Sequence, residues 1–515
     1  MIVGLSEFDQ AAEIDVCIVG AGPAGITLAL ELEKRGVRSI LLEAGRENSD
    51  LYEGEVDPPS THRSLHLDRN RGLGGSTSAW GGRCIPFDPI DFEERPWVPH
   101  SGWPIGFEEV DRFHRQAAEY CEIGDYDFTA ESPLIDGFEH PDIRANTLER
   151  WSPPTHFGKR FAARLRDSKL ITVVTGAAVI RISGEVVEIA GGHELSAKRI
   201  VLAGGGLETA RLLLHSNIGN HSDWLGRGYM THRYGIISRV RFSPTAKARV
   251  DYERDPDGIP IRRRFTFSSD AQRRQQLLNG YFVIDRPPLA DPAHGSSLLS
   301  LGYIAKRLLG KHTEPSTGQL SQHLKNLVVD SPALIAALPK FLVQRYFRHH
   351  RIPSLLPSST AKLGYVFYHY EQVPDRKSRI TLTDTKDRFG VPRLSVDYRV
   401  QDQDVESIVR QHKMLAVALK EGGVGELEFV VDSPADAVRA GEAMYAHHLG
   451  ATRMSADPED GVVDPNCQVH GVESVFVASA SAFPTSGGAN PTLTLLALTI
   501  RLAEHLTLPR PAPYG

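Results

Sequence analysis

The chain has 515 residues, 41% of them hydrophobic and 24% charged, a balance usual for a globular protein large enough for two or more domains. Its net charge of −6 offers no basic surface for nucleic acid, and no stretch of about 20 apolar residues predicts a membrane span. Four scattered cysteines without a CxxC pair speak against a disulfide framework or a structural zinc site; with no signal-peptide pattern, a cytoplasmic protein without a bound metal is expected.

The first element sets the frame. Val16 to Val19 form an apolar run that leads into Gly20, Gly22 and Gly25. A helical pattern follows over residues 24–35, then a second apolar strand over residues 39–42 that ends in Glu43. In such a unit the first glycine allows a tight turn, the second lets a pyrophosphate approach the backbone, and the third lets helix and strand pack closely. The helix N-terminus meets the phosphates with unpaired N–H groups. Glu43 stands where an acid holds a ribose 2′-hydroxyl, which favours FAD or NAD over NADP; the motif alone does not choose between them.

A second glycine-rich segment, residues 72–83, carries Trp80 and runs into Cys84-Ile-Pro-Phe. These apolar anchors predict a ligand-contacting loop rather than a flexible one. An amphipathic helix is predicted over residues 107–121, and strands over residues 171–174 and 178–182. The buried strand 199–203 ends in Gly204, Gly205 and Gly206 before a helix over residues 207–215. This second strand–glycine–helix junction predicts a return to the nucleotide-binding sheet.

From 219 to 400 the texture changes, and alternating patterns near residues 234–242, 280–283, 363–370 and 378–382 predict an antiparallel sheet. Within it, residues 298–351 are helical and basic, with Leu334, Ile335, Leu338, Leu342, Val343 and Phe347 at helical spacing. The expectation is a helix packed on the core or on a partner subunit, with a lid or a membrane-surface helix as alternatives. A further amphipathic helix is predicted over residues 402–420.

The C-terminal part holds most of the chemistry. His447 and His448 precede a small-residue turn, and a buried strand from Val475 leads to a glycine loop ending at Asn490. Pro491 opens a helix over residues 492–505, so Asn490 and Pro491 read as an N-cap and N1 pair. Oxidising an alcohol requires loss of the hydroxyl proton as the carbon gives up hydride. An imidazole suits the base, and an amide can hold the oxygen without competing for the proton. Either histidine could serve.

Together these motifs resemble the glucose–methanol–choline (GMC) flavoprotein oxidoreductases. The resemblance rests on Gly20–Gly25 with Glu43, Gly-Gly-Ser-Thr at 74–77, Gly-Trp-Pro-Ile at 102–105 and Ala-Gly-Gly-Gly at 203–206. It continues through His-His-Leu-Gly-Ala-Thr-Arg-Met at 447–454, Gly-Val-Val-Asp at 461–464, Phe-Pro-Thr at 483–485 and Gly-Ala-Asn-Pro-Thr-Leu-Thr at 488–494. It is nearest to the branch of pyranose 2-oxidase and bacterial sugar oxidases and dehydrogenases.

The resemblance implies a GMC fold, an α/β FAD-binding Rossmann-like domain plus an α+β substrate domain with a mostly antiparallel sheet. It divides the chain into 1–218, the first part of the FAD domain; 219–400, the substrate domain with a helical insertion at about 298–351; and 401–515, which returns to the FAD domain. The implied cofactor is FAD. Its expected contacts are Gly20, Gly22, Pro23, Ala24, Gly25, Glu43 and Ala44, then Gly74, Gly75, Ser76, Thr77, Trp80 and Gly81. Val179, Ala203, Gly204, Gly205, Ser479, Ala480, Asn490, Pro491 and Thr492 complete them. The family's tethering histidine is replaced by Ala79, so non-covalent FAD is expected. Ser479 stands where many members carry Asp.

The family's catalytic histidine falls on His447, with His448 as the alternative at an offset of one, and its partner on Asn490. Glu371, Gln372 and His448 are candidate substrate contacts. The implied reaction is oxidation of a hydroxyl of a sugar, glycoside, aminoglycoside-type or polyol substrate, with hydride passing to flavin N5 and electrons then to O2, a quinone or another acceptor. Alternatives are oxidation of a non-sugar alcohol, or a GMC-type lyase that holds FAD without redox turnover. A homo-oligomer is possible within this reading.

Overall fold

The computed structural model describes the chain except residues 9–13, 46–49, 52, 59, 66–68, 310–319, 354–362, 445 and 509–515; part of the expected helical insertion thus lies outside the described residues. Two large sheets carry the architecture. The first has a parallel core in which Ile14–Val19 pairs with Ser39–Glu43 on one side and with His193–Leu202 on the other. Ile171–Thr175 and Val475–Val477 extend it in parallel register. Val16, Cys17 and Ile18 are fully buried, as both faces of a parallel sheet covered by helices require. His193–Leu202 also pairs antiparallel with Val186–Ile189, so one long strand joins the parallel core to a hairpin.

The helix Pro23–Lys34 starts with Pro at its first turn and Gly22 at its N-cap, with no side chain capping it. Gly20 has φ +108, and a Cβ on Gly25 would stand 2.0 Å from the Gly20 carbonyl oxygen. The turn can therefore be this tight only with these glycines. Thr492–Thr507 packs against this helix and closes the domain with the last part of the chain.

The second sheet is antiparallel, in the order Gly425–Phe429, Arg233–Phe242, Leu363–Tyr370, Gly280–Asp285, Pro260–Phe267, Ile143–Trp151 and Arg83–Cys84. Asp402–Glu421 covers it, with Ile408 and Leu415 packed in one core with Phe282 and Val366. The divisions drawn at 219 and 401 do not follow the sheets. This sheet takes Ile143–Trp151 from before 219 and Gly425–Phe429 from after 401, because strand pairing is set by long-range register that no local pattern carries. The hairpin Arg379–Lys386 and Pro392–Asp397 forms a separate small sheet with Gly54–Val56.

The expected helix over residues 107–121 is two, Phe107–Asp111 and His114–Cys121. The insertion is helical at Ser297–Leu308, Leu320–Val329 and Ser331–Leu342. Ser297–Leu308 buries Leu298, Leu299 and Tyr303, whereas Ser331–Leu342 has no buried residue, so the expected core packing holds for the first helix and not for the last.

Replacing Gly25 with Ala is expected to push the helix off the Gly20 turn and abolish FAD retention while the purified protein stays folded. Measuring flavin content by absorbance against far-UV circular dichroism checks this, and stoichiometric flavin in the variant would contradict it.

Candidate active site

Two cavities meet at Gly20, Glu43, Gly204 and Glu208. One, of about 690 Å³, is lined by Ala44, Ala178, Val179, Arg71 and Phe389. The other, of about 940 Å³, is lined by Gly22, Pro23, Ala24, Gly75, Ser76, Ala203, Gly205, Ser479, Ala480, Pro491 and Thr492. Their combined shape runs from the first glycine turn to the start of the last helix. Gly25, Gly74, Thr77, Trp80 and Gly81 line neither cavity; they build the wall behind it. The Thr77 hydroxyl donates to the Gly74 carbonyl at 2.5 Å and accepts from the Phe157 N–H. Trp80 Nε1 donates to the Thr155 carbonyl.

Glu43 does more than its spacing foretells. One carboxylate oxygen accepts the Ala21 N–H at 2.9 Å; the other accepts Gly45 N–H at 2.8 Å and Gly72 N–H at 2.9 Å. The side chain fastens three backbone segments around the cavity and keeps a lone pair for a ribose hydroxyl. Burial pushes its pKa above the usual carboxylate range, against the opposing pull of those N–H groups and Arg71.

Beyond the second cavity, the two sheets meet. Asn490 Nδ2 lies 3.1 Å from His447 Nε2. His447 Nδ1 lies 2.9 Å from Nδ1 of His232. His232 Nε2 lies 3.1 Å from the carbonyls of Ser486 and Gly487. These carbonyls can only accept, so Nε2 of His232 carries the hydrogen and its Nδ1 is a bare acceptor. His447 Nδ1 must then donate to it, which leaves Nε2 of His447 as an unprotonated acceptor that takes the Asn490 amide N–H. The Tyr281 hydroxyl, held by Arg83 at 2.9 Å, is 3.5 Å from the other end of that amide, Oδ1. His369 stacks on His232 and Tyr281, with ring centroids 4.4 and 5.0 Å apart. Its Nε2 is buried without a protein partner.

Nitrogens of His232, His369 and His447 lie within 4.8 Å of one another. Both ring nitrogens of His232 are engaged in the hydrogen bonds above, so this cluster reads as a proton-ordering array rather than a metal centre.

Several expectations change. Asn490 does not cap the last helix, whose N-cap is Pro491 without a side-chain bond; its amide is turned to His447 instead. His448 faces the cofactor cavity, its Nδ1 bonded at 2.7 Å to the Tyr229 hydroxyl, which in turn bonds His62. The Tyr229 bond occupies its Nδ1, while its Nε2 is buried without a protein partner. Glu371 is fully buried in a two-pronged ion pair with Arg95, at 2.5 and 2.8 Å. Gln372 accepts the Thr231 N–H and donates to the Arg399 carbonyl. Both are spent on internal partners that sit far away in sequence, so neither is free to hold substrate. His232, His369, Tyr281 and Arg83 escaped the sequence reading; the one signal was a histidine in the otherwise apolar strand Leu363–Tyr370.

Burial drives the His447 pKa well below its ordinary value, with His232 and Arg83 adding to the effect, and lowers that of His232 to about 4. Both imidazoles are thus neutral at neutral pH.

A model of FAD-binding domains matches residues 13–81, and one of GMC oxidoreductases matches residues 374–499. The chain belongs to the GMC oxidoreductases. This GMC oxidoreductase is similar along its length to 2-methyl-1,2-propanediol dehydrogenase of Mycolicibacterium austroafricanum, 22% identical over 97% of this chain and 96% of the relative. It is likewise similar to paromamine 6'-oxidase of Streptomyces fradiae, 22% identical over 95% of this chain and 90% of the relative. A fungal aryl-alcohol oxidase shares the fold, with a TM-score of 0.53 at 14% identity, covering 97% of this chain and 99% of that one. The cofactor of this GMC oxidoreductase is FAD. The donor set suits it: an uncapped helix N-terminus for the pyrophosphate and a carboxylate with a spare lone pair for the ribose.

Two measurements follow from this site. Glu371→Gln leaves Arg95 as a buried unpaired charge, which costs about 3–5 kcal/mol. Chemical denaturation is expected to show that loss with little change in KM; a selective rise in KM at full stability would restore Glu371 as a substrate contact. The second concerns pH. His62, His232, His294 and His412 are lowered to about 4, and His369, His447 and His448 are lowered well below the ordinary value. These seven outnumber Glu43, Asp91, Asp251 and Asp404, whose pKa values burial raises. A lowered histidine binds its proton more readily when unfolded, so its contribution is present above about pH 6.5 and lost as pH falls toward 4. The raised carboxyls act in the opposite sense. Tm is expected to fall on acidification across that window; a flat or rising Tm would contradict it.

Proposed function

We propose that this enzyme oxidises a CH–OH group of a sugar, glycoside, aminoglycoside-type or polyol substrate to the carbonyl. The single observation that carries the reading is the 3.1 Å contact between His447 Nε2 and Asn490 Nδ2 at the end of the cofactor cavity. A substrate hydroxyl that takes the place of this contact meets an unprotonated nitrogen that takes its proton and an amide N–H, released from that nitrogen, that holds its oxygen. FAD, when bound, supplies the acceptor for the electron pair leaving the carbon. His232 keeps the accepting lone pair on Nε2 of His447, and Tyr281 with Arg83 fixes the amide. His369 Nε2 is assigned a neighbouring substrate hydroxyl, because no protein group satisfies it.

The substrate class draws on the relatives, one named for a propanediol and one for paromamine, and on the polar lining of the site. Non-covalent FAD is part of the reading, because Ala79 offers no nucleophile beside Trp80. The electron acceptor is O2 or a quinone, which turnover with each alone separates.

His447→Ala is expected to keep FAD and slow anaerobic flavin reduction about 10²–10⁴-fold, the range of a positioned base. Asn490→Ala is expected to cost about 10²-fold or more, as loss of one oxygen-holding donor does. Stopped-flow bleaching of the flavin by a panel of sugars, glycosides and diols reads both. Near-normal reduction in the His447 variant would refute its role, and no bleaching of the parent enzyme by any member would refute the substrate class.

A further inference from the structure

The helical insertion inverts the usual amphipathic arrangement. Its internal seam is polar. The Asp330 carboxylate accepts both the N–H and the hydroxyl of Ser297 at 2.9 Å. The Ser300 hydroxyl bonds His323 and Asn326, and Tyr303 stacks on His323 at 4.1 Å. Its outer faces are apolar. Among the described residues, eleven of the sixteen large exposed hydrophobic side chains fall between 308 and 347, including Leu308 at 82%, Val328 at 75%, Ile335 at 75% and Phe347 at 81% exposure. Leu320, Leu324 and Val328 form one stripe at four-residue spacing, and Ile335, Leu342 and Tyr346 another. A helix pair bonded through polar groups with its hydrophobic stripes in water is the reverse of a core helix.

The charge on the same surface is just as one-sided. The described part of the insertion carries seven basic side chains, Lys306, Arg307, Lys325, Lys340, Arg345, Arg348 and Arg351, and the single acid Asp330, in a chain whose net charge is −6. Among the described residues none of the seven is in an ion pair. Leu320–Val329 and Ser331–Phe347 meet at 86°, and no single helix is long and apolar enough to cross a membrane.

We infer that this insertion docks the enzyme on an anionic lipid surface, with the apolar stripes in the headgroup–acyl boundary and the cations on the headgroups. A second copy is the poorer occupant, because a two-fold contact through this patch would set cations against the same cations.

The test is sedimentation of the full FAD-loaded chain with vesicles of phosphatidylcholine alone or of phosphatidylcholine with phosphatidylglycerol. Binding is expected only to the anionic vesicles and is lost at high salt. Lys325→Ala and Arg348→Ala are each expected to lower partitioning about fivefold, and Ile335→Ser with Phe347→Ser to abolish it. Flavin content and Tm should be unchanged, because these side chains touch no core. Equal, negligible sedimentation with both vesicle types would overturn the inference. So would a concentration-dependent dimer in light scattering that Phe347→Ser dissolves, since the patch would then be filled by a second copy.

Discussion

One hydrogen bond between two buried imidazoles orders the site. It runs from His447 Nδ1 to His232 Nδ1, and its direction is set by Ser486 and Gly487, whose carbonyls can only accept. Backbone carbonyls do not titrate, so the order they impose holds wherever both rings are neutral. Burial keeps both rings neutral, which leaves the reactive lone pair in place. The same short loop that supplies these carbonyls also supplies Asn490. A single segment therefore fixes which nitrogen of His447 is left as the acceptor and where the amide that faces it stands.

The two sheets exist, in functional terms, to bring this loop to the cofactor cavity. The parallel sheet presents its strand ends and glycine turns toward the cavity, as open α/β sheets do at the carboxyl ends of their strands. Glu43 fastens three backbone segments there. The antiparallel sheet contributes the opposite wall through Tyr281 and His369, which pair across neighbouring strands, and through His232 just before Arg233–Phe242. The Arg95–Glu371 ion pair lies behind that wall and locks the end of Leu363–Tyr370 to residues far earlier in the chain. The proposed catalytic pair is thus held from both sheets, which is how rigid elements position groups to fractions of an ångström.

The nucleotide-binding half was legible because its signals are local. Gly20, Gly22, Gly25 and Glu43 act within one strand–helix–strand unit, and the structure places them together as their spacing implies. The residues offered either histidine with Asn490, and only the resemblance chose His447, since 43 positions separate the two. His232, 215 positions from His447, left no local trace. Glu371 misled for the same reason, because its partner Arg95 is 276 positions away. The insertion was legible only as helix. Helical periodicity in Ile335, Leu342 and Phe347 marks an apolar face but not whether protein covers it, and here none does among the described residues.

The central claim is that His232 orders the proton on His447, and His232→Leu tests it most directly. That change removes the acceptor but keeps the buried volume filled, so FAD content is expected to hold, with Tm lowered by the polar groups left without a partner. Anaerobic flavin reduction by a substrate of the parent enzyme is expected to slow by about 10²-fold or more with KM little changed, as when a catalytic histidine loses the group that fixes its tautomer. Reduction at the parent rate in a variant that retains its flavin would show that His447 needs no such partner, and would contradict the account.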